Sequence, residues 1–314
     1  MSVYTEIKKY INYPGRNISN INDQTEFTKH NVDALRKNGY LILEDFISSD
    51  LLGYLQSRVT LELESNFGFE YPCLSQKKID EEKHKELINN YLRYTPKDLK
   101  KYGLTFDFSD VTSYNQILEE FNPSTIKLLI PNDISFFNLW LNPILLEIVE
   151  AYLGLKPFLL EAYIRRNFPA KYRVMNHFWH RDINHESYLV KIFFFLSDCA
   201  LENGPHEYIS GSIDDRTLDG KLYYTDEEID KTYPEGSKRR IKSIVKAGTI
   251  VIEDTRGLHR AVVPQKGYRD LGYAVFMPHE IFTRWGDPEY CINKDTYLKL
   301  NPNQRSYIPS KNKL

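Results

Sequence analysis

The segment YLVKIFFFLSD, residues 188–198, limits the possible folds more than any other part of the chain. It reads as a strand whose large apolar side chains fall at both parities, so both of its faces must be covered. Lys191 interrupts the run and shares a face with Phe193 and Phe195. If that face is interior, an unpaired ammonium there costs several kcal/mol, so it must meet an anion. The candidates are a carboxylate of a bound cosubstrate, an acidic substrate group, or an internal glutamate such as Glu161. If the face is the outer one, Lys191 snorkels past a covering helix.

Segments 157–168, 243–254 and 272–282 also read as strands, separated by loops that carry Gly, Pro and Asn. Upstream, residues 23–39 read as a helix capped by Asp23 and ended by Gly39, with a short strand after it. Residues 48–65 make a second helix capped by Ser48 or Ser49, and 141–154 a third that stops at Gly154. The stretch 70–135 is polar and mixed and reads as short helices and loops. TDEEIDKTY, residues 225–233, reads as a small helical insertion. Helices first and strands second, with no alternation of the two, predict an antiparallel sandwich or barrel buttressed by the N-terminal helices.

A net charge of −2 supplies no basic field, so a nucleic-acid partner is not expected. Cys73, Cys199 and Cys291 are far apart and odd in number, which argues against a disulfide framework and for a reducing compartment. The N-terminus lacks the apolar core of a signal peptide, and no apolar run comes close to the roughly 20 residues that span a bilayer. A cytoplasmic protein with no membrane partner is the expectation.

The chemistry concentrates just ahead of the two-faced strand, in FWHRD. His180 and Asp182 are two apart, so an extended backbone points them to one side, where they can share a metal ion. EDTRGLHRAVVP offers His259 as the third ligand. Two histidines and one carboxylate on one face of a metal leave three positions open, the arrangement of non-haem iron(II) oxygenases. His177 has the wrong parity to pair with His180, while His185, His206 and His279 lack a partner at ligand spacing and read as loop or surface residues. Such an oxygenase draws electrons from a cosubstrate, and 2-oxoglutarate needs an arginine for its far carboxylate. Arg269 opens the next strand, whereas Arg256 and Arg260 have the wrong parity relative to His259. The competing partner for Arg269 is its neighbour Asp270.

WHRD, the strand ending in Ser197-Asp198, Asn203-Gly204-Pro205, Ile209-Ser210-Gly211-Ser212 and GLHRAVVPQKGYRDLGYAVF together resemble the phytanoyl-CoA dioxygenase-like family of iron(II)/2-oxoglutarate oxygenases. LRKNGYLILEDFISSDLLGYL resembles the N-terminal helix-strand-helix of that family. The resemblance covers roughly residues 26–60 and 155–280. It implies a double-stranded β-helix (jelly roll), iron(II) bound by His180, Asp182 and His259, and 2-oxoglutarate held by Arg269. Lys191 is expected to help bind the cosubstrate or an acidic substrate group. Ile213 stands where the family often has a histidine, and Ala261 where some members have a serine that helps bind the cosubstrate.

One domain is expected over 1–314: a polar arm (1–23), a helical and mixed support region (24–154), a jelly-roll core (155–285) and a C-terminal extension (286–314). The expected activity is oxidation of a C–H bond of a small molecule with O2, most simply hydroxylation, with release of succinate and CO2. Asp182 argues against halogenation, since chloride would need the carboxylate's coordination position. The competing readings are a non-catalytic jelly-roll binding module and another metal-dependent cupin enzyme.

Overall fold

The computed structural model describes residues 25–66, 73–86, 96–106, 113–173, 175–182, 189–215, 217–278 and 290–314. His185, His279, the segment 1–23 and the expected cap Asp23 lie outside these residues. The first described helix, α1 (Glu26–Asn38), is capped instead by Thr25, whose hydroxyl accepts from the Thr28 amide, and it ends at Gly39 with φ 81°. Strand β1 (Tyr40–Leu43) follows, then α2 (Ser49–Leu61) with Ser48 at its N-cap.

The region expected to be short helices and loops also holds three strands: β2 (Cys73–Leu74), β3 (Thr105–Phe106) and β4 (Thr125–Leu129). Its polar composition hid β4, an edge strand that buries only Ile126 and Leu128. Helices α3 (Ile134–Trp140) and α4 (Pro143–Leu153) come next. Together, Ile134–Leu153 is 20 residues long with a mean hydropathy of 1.3, enough to cross a membrane by length and composition. That corrects the expectation that no such stretch exists. Here Asn142 and Pro143 divide it, and both helices pack into the core.

The remaining strands are β5 (Phe158–Asn167), β6 (Trp179–His180), β7 (Val190–Phe195), β8 (His206–Ile209), β9 (Tyr223–Tyr224), β10 (Arg240–Lys242), β11 (Ile250–Glu253), β12 (His259–Ala261) and β13 (Arg269–Met277). Helix α5 (Asp226–Thr232), between β9 and β10, carries a capping box of Thr225 and Glu228. Two larger antiparallel sheets result, a major one in the order β1-β11-β7-β13-β5-β4 and a minor one in the order β10-β8-β12-β6-β9, while β2 and β3 pair with each other alone. Sequence patterning missed the minor sheet, because strands of two to four residues are too short to show a period.

The two-faced strand β7 sits in the middle of the major sheet, paired with β11 and β13. Ile192 and Phe194 face outward into the large core with α1, α3 and α4. Trp140 stacks on Phe194 at 4.2 Å and donates its Nε1–H to the Tyr273 carbonyl at 2.5 Å. This packing needs Gly272, since a Cβ there would sit 2.6 Å from the Trp140 ring. Phe193 and Phe195 face inward with Tyr163, Cys199, Val251, Leu271 and Tyr273. The minor sheet has a different cover. Trp179 is buried among Ile209, Tyr224 and Ile229, with Arg260 and Arg240 over its ring at 4.7 and 5.2 Å.

Candidate active site

Antiparallel pairing of β6 with β12 sets His180 directly opposite His259. Asp182 lies in the bend after β6, and its amide donates to the Thr255 carbonyl (3.0 Å). The Nε2 atoms of His180 and His259 each stand 3.6 Å from an oxygen of Asp182. One ligand atom from each of the three residues falls within 4.8 Å of the others, and all three are buried or half-buried. His180 Nδ1 lies 2.8 Å from the Phe178 carbonyl and His259 Nδ1 lies 2.9 Å from that of Gly257. A carbonyl only accepts, so each Nδ1 carries the proton and each Nε2 keeps its lone pair for the site. Burial, and then His180, push His259 well below the usual histidine range, which keeps it unprotonated and able to ligate.

Lys191 faces inward, and the anion it meets is Asp182, a partner the sequence reading did not weigh. Its Nζ is 2.6 Å from Oδ2. Burial opposes ionisation of Asp182, but Lys191 and then His259 outweigh it and hold the carboxyl well below its usual range. Burial likewise opposes the charge on Lys191, and Asp182, with Glu161 behind it, raises its pKa.

Arg269 starts β13 on the inner side and is 1% exposed. The competing partner is taken elsewhere: Asp270 accepts two hydrogen bonds from Arg166, at 2.7 and 2.6 Å. Nε and Nη1 of Arg269 are buried and have no hydrogen-bond partner among the described residues. A buried guanidinium left bare in this way is a site for an anion. Arg260 points away from the ligands and binds Glu207 (2.8 Å) and Asp226 (2.9 Å), while Arg256 binds Asp254.

One histidine was misjudged, and another lies apart from the ligands. His206 is neither loop nor surface: it is buried in β8, its ring 5.4 Å from that of His259 and 4.8 Å from Phe193. Its Nδ1 is 2.9 Å from Oε1 of Glu253, which is also buried. Burial drives Glu253 well above and His206 down to about 3, so the pair is better described as a neutral acid on a neutral imidazole than as an ion pair. The only signal in the sequence was the strand-like alternation of HEYI, too short to read. His177 does not join the three ligands. It is buried, and burial followed by Arg269 and Arg173 pushes it down to about 3. A cleft of about 560 Å3 opens beside His177 and contains none of the three.

Two facing antiparallel sheets enclosing two histidines and an aspartate form a jelly-roll-like sandwich with a candidate metal face. SnoN, a non-heme alpha-ketoglutarate-dependent epimerase from nogalamycin biosynthesis, has this fold and superposes with a TM-score of 0.51 over 80% of this chain and 83% of its own, at 14% identity. HygX from Streptomyces hygroscopicus, solved with nickel, 2-oxoglutarate and hygromycin B bound, gives 0.49 over 87% and 92%, also at 14% identity. No protein-family model and no curated protein sequence matches the chain.

Proposed function

We propose that this protein is an iron(II)- and 2-oxoglutarate-dependent dioxygenase, related to the phytanoyl-CoA dioxygenase-like family, that hydroxylates a C–H bond of a small molecule. The observation that carries this reading is the pairing of a His180–Asp182–His259 face with the bare, buried guanidinium of Arg269 in one barrel. The residues fit the groups they are asked to hold: Nε2 of both histidines and a carboxylate oxygen of Asp182 for a divalent metal, Arg269 for the far carboxylate of 2-oxoglutarate. Bound there, iron(II) with 2-oxoglutarate and O2 supplies an oxidant strong enough for an unactivated C–H bond, leaving succinate and CO2.

The chain's own part is positioning and charge. Phe178 and Gly257 carbonyls orient the two imidazoles, and Lys191 holds one oxygen of Asp182. A divalent cation and a dianion add no net charge to the interior, where Asp182 already matches Lys191 and Arg269 is left to meet the far carboxylate of the dianion. The apolar wall of Phe193, Phe195, Val251 and Leu271 keeps water from the space between the sheets. The cysteine usage supports a reducing, cytoplasmic setting. Anaerobic titration with iron(II) and 2-oxoglutarate tests the reading: the parent should develop a metal-to-cosubstrate charge-transfer band, and His259→Ala should not. A variant that binds both like the parent would remove His259 from the site.

A further inference from the structure

Glu253 and His206 lie inside the barrel without a part in the reading above. Glu253 reaches inward from β11 in the major sheet, and His206 reaches toward it from β8 in the minor sheet, so their 2.9 Å hydrogen bond spans the interior. The His206 ring packs between Phe193 and the metal-side ring of His259. His206 therefore sits in the space between the sheets, against His259 on one side and, through Phe193, against the inner face of β13 that carries Leu271, Tyr273 and Arg269.

The Glu253 bond decides what His206 offers there. Oε2 of Glu253 is buried and has no hydrogen-bond partner among the described residues. An ionised carboxylate with one bare oxygen is costly in such a place, so the carboxyl keeps its proton and donates it from Oε1 to Nδ1. The imidazole is then neutral with its hydrogen on Nε2. In that state Nε2 is a donor and has no lone pair for a metal.

We propose that His206, anchored by Glu253, is a cosubstrate-binding residue whose Nε2–H donates to 2-oxoglutarate between the metal ligands and Arg269. This rests on the oxygenase reading of the site. The test separates metal binding from cosubstrate binding: cobalt(II) affinity by calorimetry, then 2-oxoglutarate affinity from the anaerobic iron(II) charge-transfer band, in the full-length protein. His206→Phe keeps a ring and removes the donor. It should weaken 2-oxoglutarate about tenfold or more, the worth of one charge-assisted hydrogen bond, and leave cobalt(II) within about threefold.

Glu253→Gln can still donate to Nδ1 and should bind 2-oxoglutarate like the parent, whereas Glu253→Leu should behave like His206→Phe. These two variants carry the test if His206→Phe does not fold. Unchanged 2-oxoglutarate affinity in His206→Phe or Glu253→Leu overturns the proposal, and so does an equal loss of cobalt(II) and 2-oxoglutarate, which would tie His206 to the packing of His259. A parent that binds metal but no 2-oxoglutarate would instead bring down the oxygenase reading, and this role with it.

Discussion

Lys191 and Asp182 form a half-buried ion pair, with Nζ 2.6 Å from Oδ2, inside the set of residues proposed to hold the metal. The ammonium repels a divalent cation and attracts a dianion. Lys191→Met should therefore tighten cobalt(II) binding and weaken 2-oxoglutarate, each by about tenfold, as expected for a unit charge a few ångströms away in a partly screened interior. Both constants come from one pair of titrations. Movement in the same direction would mean that Lys191 acts by holding the shape of the site.

Arg269→Lys keeps the charge but loses the planar two-point grip, and the KM for 2-oxoglutarate should rise about tenfold or more. Arg260→Lys should leave that KM alone, because Arg260 is spent on Glu207 and Asp226 on the other side of the sheet. Steady-state kinetics with varied 2-oxoglutarate distinguish the two, and equal effects would undo the choice of Arg269.

Gly257 is pressed against Tyr208, whose hydroxyl would lie 1.9 Å from a Cβ at that position and is itself bound to the Asp254 carbonyl at 2.8 Å. The Gly257 carbonyl also accepts from His259 Nδ1. Gly257→Ala should cost about 1–3 kcal/mol of stability through overpacking, and weaken metal binding as well by disturbing the orientation of His259. Chemical denaturation with and without cobalt(II) measures both effects. A variant as stable as the parent would show that Tyr208 can move aside.

Burial and neighbouring arginines lower His177 from 6.5 to about 3 in the folded protein. The unfolded chain takes up that proton first, so the contribution of His177 to stability is fully present above pH 6.5 and is lost as pH falls toward 3. Between about pH 6 and pH 4 the parent should lose about 1.4 kcal/mol per pH unit more than His177→Gln does. Urea unfolding across that range gives the slopes, and parallel slopes would mean that His177 titrates normally.

Much of the site could be read from the chain because its signals are local. His180 and Asp182 are two residues apart, and extended geometry alone puts them on one side. Arg269 was separable from Arg260 by parity along adjoining strands, and β13 and β12 carry them to opposite faces of their sheets. The cover over β7 was legible in the same way, since Ile192 and Phe194 demanded apolar neighbours and Trp140 answers Phe194. His206 was not legible: a histidine in a four-residue strand looks the same whether it faces water or the barrel interior.

Side-chain alternation and helix stops are written into consecutive residues, so the strands β1, β5, β7, β11 and β13 of the major sheet, the helix ends at Gly39 and Gly154 and the face that Lys191 shares with Phe193 and Phe195 follow from the order of residues. Which charges meet does not. Lys191 could have found Glu161 or a ligand, and it found Asp182; Asp270 could have neutralised Arg269, and it bound Arg166. Those choices arise when two sheets close face to face, because an interior of low polarity makes every buried charge and hydrogen-bonding atom take the nearest partner from a distant part of the chain. The Arg269 guanidinium, with two nitrogens left bare, and the Glu253–His206 bond across the barrel are products of that closure.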